Sequence, residues 1–154
     1  MPDLRPTPLI RTAREKDLPD VVRLDNAVFS FDPYPYFVLR QLFDAHGDHM
    51  FVLYEGEELI GYILFATSRT NSAAWGLSLA VAEGHRGRGM ARRLLLKALE
   101  RLRDEGVEEA RLAVEPANTA AIALYGSLGF TSEGEVHEAY FGPSGDRLLM
   151  SLKL

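Results

Sequence analysis

The run Arg86-Gly87-Arg88-Gly89-Met90-Ala91 joins an apolar strand to a helix, and it constrains the fold more than any other stretch of the chain. Leu77-Ser78-Leu79-Ala80-Val81 reads as the strand and Glu83-Gly84-His85 as its turn. Met90, Leu94, Leu95, Ala98 and Leu102 then fall on one helical stripe. Gly87 and Gly89 have no Cβ, so the main chain there can curl tightly and approach an anion. The helix N-terminus adds the equivalent of about half a positive charge. Backbone N–H groups at such a junction point at a phosphate, so a phosphate-bearing ligand is the first expectation. The loop has no Lys-Ser/Thr ending, which excludes a nucleotide P-loop, and its glycines lack the spacing of a dinucleotide fingerprint.

The flanking segments predict a mixed sheet. Residues 1–8, with Pro2, Pro6 and Pro8, read as a loose leader before one domain over 9–154. Leu9 to Ala13 is a short candidate strand. Asp17 is placed to cap a helix carrying Val21, Val22, Leu24, Asp25 and Val28. Prolines in Ser30–Tyr36 break that helix, and a second covers Phe37 to Ala45. Phe51–Tyr54 and Leu59–Phe65 flank the hairpin turn Glu55-Gly56-Glu57-Glu58, and a third strand runs from about Ala74 to Val81. After the basic helix, which Gly106 stops, Arg111–Glu115 is a strand, Asn118 caps a helix ended by Gly129, and strands around Phe130–Glu138 and Arg147–Leu152 close the chain. Hairpins combined with crossover helices imply a mixed α/β sheet.

Bulk properties narrow the class. A length of 154 residues with 47% apolar content suits one core. The net charge of −5 argues against a general nucleic-acid or anionic-membrane surface. It also counts against reading Arg88, Arg92, Arg93, Lys97 and Arg101 as a basic helix for nucleic acid. With no cysteine, disulfides, thiolate catalysis and cysteine metal sites are excluded, and the expected setting is the cytoplasm.

A second motif narrows the ligand. Asn118-Thr119-Ala120-Ala121-Ile122-Ala123-Leu124-Tyr125 is followed by Leu128-Gly129-Phe130. With Val81 and Arg86-x-x-Gly89-x-Ala91, these residues resemble the GCN5-related N-acetyltransferase (GNAT) superfamily. The first part matches its Arg/Gln-x-x-Gly-x-Gly/Ala acyl-CoA motif, the second its Asn-x-x-Ala-x-x-x-Tyr-x-x-x-Gly-Phe segment. The resemblance implies a single-domain α/β (α+β) fold, with a mostly antiparallel, twisted mixed sheet of about seven strands flanked by about four helices. It implies an acetyl-CoA-dependent N-acetyltransferase in which a bound amine attacks the thioester directly, with no metal.

The resemblance also implies site residues. Acetyl-CoA would contact Leu79, Val81, Arg86, Gly87, Arg88, Gly89, Met90, Ala91, Arg92, Asn118, Ala121 and Tyr125. The amides from Gly87 to Arg92 would cradle the pyrophosphate, and the Val81 N–H would stabilise the developing oxyanion. Arg88, Arg92 and Arg93 either add charge attraction or form a solvated helix face. Tyr125 would protonate the departing thiolate as general acid, the alternative being a core tyrosine. Asn118 has two compatible tasks, helix cap and pantetheine contact.

The general base and the acceptor are less determined. The protein-N-terminal-acetylating members, especially those resembling the ribosomal-protein alanine acetyltransferase, often carry a glutamate where this chain has Ala113. Glu115, two residues on along the strand, is the candidate to act through water, with His137 and Glu138 behind it. Phe31, Asp32, Tyr34, Tyr36 and Tyr140 are the candidate acceptor-binding residues, through charge, hydrogen bonds or cation–π contact. Tyr140-Phe141-Gly142-Pro143 and Gly145-Asp146-Arg147 resemble the terminal hairpin of the N-terminal-acetylating members and point toward a peptide α-amine. A small amine or polyamine is the alternative acceptor, and a non-catalytic acyl-CoA sensor the alternative function. Dimerisation through a terminal strand is common in the family and is left open.

Overall fold

The computed structural model describes residues 4–68 and 72–154. Strand β1 (Pro8–Thr12) is followed by α1 (Leu18–Val28), α2 (Tyr36–His46), β2 (Met50–Glu55), β3 (Glu58–Ser68), β4 (Ala73–Val81) and α3 (Met90–Asp104). Then come β5 (Glu109–Val114), α4 (Thr119–Ser127), β6 (Thr131–Ser132) and β7 (Leu148–Lys153). The seven strands form one mixed sheet in the order β1-β2-β3-β4-β5-β7-β6. The β4–β5 pair is parallel, while β1–β2, β2–β3, β5–β7 and β6–β7 are antiparallel. This is the mixed sheet that the residue pattern predicts, mostly antiparallel and with four helices as the resemblance implies. Of the expected leader, residues 1–3 lie outside the described residues, and Pro8 already opens β1. Among the described residues no helix is long and apolar enough to cross a membrane.

The backbone divides into two compact units, Met1–Ala66 with Leu77–Arg101, and Thr67–Gly76 with Leu102–Leu154. In the first, β2 and β3 form the expected hairpin, and Gly56 at φ +64° makes its turn. Val21, Leu24, Met50, Val52, Tyr62, Leu64 and Ala80 form a buried cluster there. Gly61 on β3 allows close approach from α3, because a Cβ would meet Leu94 Cδ1 at 2.9 Å and the Ala80 oxygen at 3.2 Å. The predicted α3 stripe of Met90, Leu94, Leu95, Ala98 and Leu102 is buried throughout.

Asp17 does not cap α1 as expected. Its backbone is already helical (φ −81°, ψ −18°), whereas a capping residue is ordinarily extended. Its carboxylate instead accepts the Arg14 N–H at 2.7 Å, the Tyr54 hydroxyl at 2.7 Å and the Arg11 guanidinium at 2.7 and 2.8 Å. Burial works to raise this carboxyl, but the hydrogen bonds from Arg11, Arg14 and Tyr54 outweigh it and bring it down to about 2.

In the second unit β5 pairs with β7 from Glu109↔Lys153 to Val114↔Leu148. Gly106 at φ +80° ends α3, as predicted. The strand expected over Phe130–Glu138 shrinks to Thr131–Ser132 and one bridge, His137↔Arg147. The backbone leaves the extended region at Gly134 (φ +78°) and Ala139 (φ +51°), and the Asp146 carboxylate fixes the second turn by accepting the Ala139 N–H at 2.7 Å.

Candidate functional site

In the first unit the expected phosphate loop follows β4. Gly87 and Gly89 stand at φ +77° and +78°, the left-handed region that excludes most L side chains. A Cβ at either would meet nothing within 4 Å, so glycine is needed there for conformation rather than space. Among the described residues the amides of Gly89, Met90 and Ala91 make no hydrogen bond, and Arg93 makes the first helical one, to Gly89 at 3.1 Å. The loop thus ends on unspent donors at a helix N-terminus. Its side chains are more committed than expected. Arg88 donates to Glu55 at 2.6 Å and meets His85 Nδ1 at 3.0 Å, while Arg86 Nε donates to the Val81 carbonyl at 3.1 Å. The hydrogen bonds from Arg88 hold the Glu55 carboxyl below its ordinary range. Arg92 and Arg93 are exposed on α3.

The edge of β4 is set by alternation. The Ala82 N–H donates to Ile60 of β3 at 2.8 Å and the Ala80 oxygen also faces β3, so the main-chain groups of Leu77, Leu79 and Val81 turn the other way. The Leu77 carbonyl accepts the Tyr34 hydroxyl at 3.0 Å, and Val81 has its carbonyl taken by Arg86. Leu79 and the Val81 N–H lie beyond the last registered β4–β5 pair, Gly76↔Leu112.

Of the candidate acceptor residues, Phe31, Asp32 and Tyr34 lie between α1 and α2, and Tyr36 opens α2. Phe31, Asp32 and Tyr36 are exposed, and Tyr34 is half-buried. Tyr34 is tied down at both ends, since its N–H donates to Asp25 at 2.8 Å. Burial, reinforced by Asp25 and Asp32, pushes its phenol up. Asp25 is wholly buried and also accepts the buried Tyr62 hydroxyl at 2.5 Å, which lies 2.7 Å from Ser78 Oγ. The residue pattern puts Asp25 on the α1 stripe but assigns no task to it, nor to Tyr62 or Glu55. The available signal is an acid at an apolar position, spaced with Val21, Leu24 and Val28.

In the second unit Asn118 caps α4 as predicted, its Oδ1 accepting the Ala121 N–H at 3.1 Å. No residue of α4 is fully buried, although its sequence is mostly apolar. Tyr125 is half-buried with its ring 5.7 Å from that of Phe130. Its hydroxyl forms no hydrogen bond among the described residues, and burial pushes the phenol up, which keeps it protonated. Glu115 lies just past β5, 66% exposed, with Arg147 at 3.8 Å. Tyr140 is exposed and its ring meets those of His137 and Phe141.

Comparison with known proteins converges on one family. The model of the acetyltransferase (GNAT) family matches residues 13–130. The chain is 29% identical over 130 residues to the N-alpha-acetyltransferase MAK3 of Arabidopsis thaliana, covering 83% of this chain and 68% of that protein. Its fold is similar to that of the ribosomal-protein-S18-alanine N-acetyltransferase from Escherichia coli, with a TM-score of 0.82 and 24% identity over 96% of this chain and 94% of that one. It is also similar to a chain of the NatC complex bound to Gag peptide and CoA, with a TM-score of 0.85 and 23% identity over 96% and 98% of the two chains.

Proposed function

The chain belongs to the acetyltransferase (GNAT) family, and from that premise we propose that it moves an acetyl group from acetyl-CoA to the α-amine of a protein or peptide N-terminus. The observation that carries the reading is the β4–α3 junction, where two left-handed glycines lead into a helix start with unspent amides. The amides from Gly87 through Ala91, with that of Arg92, bind the pyrophosphate. In the first unit Leu79 holds the pantetheine arm along the β4 edge; in the second, Asn118 and Ala121 are the residues that the family motif assigns to acetyl-CoA. Acetyl-CoA supplies the activated acyl group, and the protein supplies orientation and electrostatics. The Val81 N–H stabilises charge developing on the thioester oxygen. Tyr125, protonated and without a competing partner among the described residues, gives its hydrogen to the departing sulfur. Glu115 is open to solvent and takes the amine proton through water.

The peptide acceptor is supported by the MAK3 relative, named as an N-alpha-acetyltransferase, and by the peptide-bound NatC structure of similar fold. Phe31, Asp32, Tyr34 and Tyr36 from the α1–α2 segment and Tyr140 from the terminal turn are the residues assigned to the acceptor. Thiol release from acetyl-CoA with a panel of free-N-terminal peptides, polyamines and small amines tests the proposal. Turnover is expected to be highest with peptides. Preference for polyamines or small amines would replace the acceptor class, and CoA binding without turnover on any amine would replace catalysis with sensing.

A further inference from the structure

Asp25 is buried to 0% exposure, and none of the chemistry assigned above uses it. Among the described residues its partners are neutral, the Tyr62 hydroxyl at 2.5 Å and the Tyr34 N–H at 2.8 Å. A buried carboxylate ordinarily requires full satisfaction, and here one donor sits on each oxygen. The Tyr34 end leads to the acceptor segment. Pro33 and Pro35 have no N–H, so that segment has few amides with which to anchor itself. Within it, Asp32 bonds back to Phe29 at 3.1 Å. Tyr34 makes the ties to the rest of the unit, by its N–H to Asp25 and its hydroxyl to the Leu77 carbonyl at 3.0 Å.

We propose that Asp25 is the positioning residue of the acceptor site: by holding the Tyr34 N–H on one oxygen and the Tyr62 hydroxyl on the other, it fixes Phe31, Asp32 and Tyr34 in the conformation that receives the amine. This rests on the assignment of Phe31–Tyr36 to the acceptor. The two donors differ in what they tolerate. Tyr34 offers a backbone N–H that can only donate. Tyr62 offers a hydroxyl that can turn its hydrogen to Ser78 Oγ and accept instead. An asparagine at position 25 therefore satisfies both, with its oxygen on Tyr34 and its amide on Tyr62. An alanine satisfies neither: it leaves the Tyr34 N–H without a partner and the Tyr62 hydroxyl with Ser78 Oγ alone. Zero exposure and two occupied oxygens favour positioning over proton transfer.

Steady-state kinetics in both substrates, on Asp25→Ala, Asp25→Asn, Tyr62→Phe and Phe31→Ala, test this. Asp25→Ala is expected to raise the acceptor KM by at least about tenfold while the acetyl-CoA KM stays within about twofold. Asp25→Asn is expected to restore the acceptor KM to within about threefold of wild type. Tyr62→Phe, which removes one hydroxyl from an otherwise unchanged ring, gives an intermediate rise and keeps the test alive if the alanine variant does not fold. Unchanged acceptor KM in Asp25→Ala and Tyr62→Phe, with a raised value in Phe31→Ala, overturns the positioning role and leaves the acceptor assignment standing. Unchanged acceptor KM in Phe31→Ala as well overturns that assignment itself. A loss of kcat of about 100-fold in Asp25→Asn at wild-type acceptor KM overturns positioning in favour of a proton-accepting carboxylate.

Discussion

The β4–α3 loop and the α4 helix are built to opposite plans. The loop, in the first unit, offers its main chain, with two left-handed glycines and the first amides of a helix, while the one loop arginine beside a carboxylate is committed to Glu55. Helix α4, in the second unit, presents a single phenol whose hydroxyl has no partner among the described residues. A task carried by backbone amides is spread over several residues and resists any one side-chain change. A task carried by one hydroxyl is lost with one oxygen atom.

The largest effect that follows falls on the phenol. Tyr125→Phe keeps the ring on Phe130 and removes only the proton donor, so kcat should fall by about 100-fold or more with the acetyl-CoA KM within about twofold. Undiminished kcat would remove Tyr125 from its role. It would also erase the contrast, since both regions would then serve binding alone.

On the loop side the expected loss is in binding. Gly89→Ala must adopt φ +78° with a Cβ, at a cost of roughly 1–2 kcal/mol, while finding open space around it. The acetyl-CoA KM should rise by about tenfold with kcat little changed. Gly84→Ala is the control, since a Cβ there also meets nothing within 4 Å and its backbone is not left-handed. Equal KM values for the two variants would show that loop conformation does not set donor affinity.

A smaller change separates the loop's main chain from its charge. Glu55→Gln weakens the hold on Arg88, and if that pair only braces the loop, the acetyl-CoA KM should rise by about threefold. A fall in KM would mean that Arg88, once released, reaches the phosphates, and that the loop works through side chains as well.

These differences also explain what the chain discloses before folding. Gly87 and Gly89 announce positive φ by their residue type, and a strand before them with a helix after them places the loop at a helix start. Asn118 and Gly129 bracket α4 by local rules, so its ends are legible too. The Asp25–Tyr62 bond is different. Its partners are 37 positions apart, and only the placing of α1 on β3 brings them together. Asp25 on an apolar stripe signals that a buried partner exists without naming it. The expected strand over Phe130–Glu138 fails for a related reason. Asp146 reaches back to the Ala139 N–H and stabilises a left-handed residue that local propensity gives no cause to expect.

The smallest expected effect sets the two regions apart by pH. Burial raises the Tyr125 phenol, so its proton is retained across the neutral range and Tyr125 should contribute no alkaline limb there. In the first unit, Asp17 is brought down to about 2 from an ordinary value of 3.8. A carboxyl that is more acidic when folded stabilises the fold fully above its unfolded pKa. That contribution is lost as protons bind the native state. Thermal midpoints should therefore hold steady above about pH 4 and drop between about pH 4 and pH 2, by on the order of 5 °C for this group. Asp17→Asn should lower the midpoint at pH 7 and flatten that acid slope. An unaltered slope in the variant would mean that other carboxylates carry the acid loss, and that the bonds from Arg11, Arg14 and Tyr54 to Asp17 contribute little to holding β1 against the start of α1.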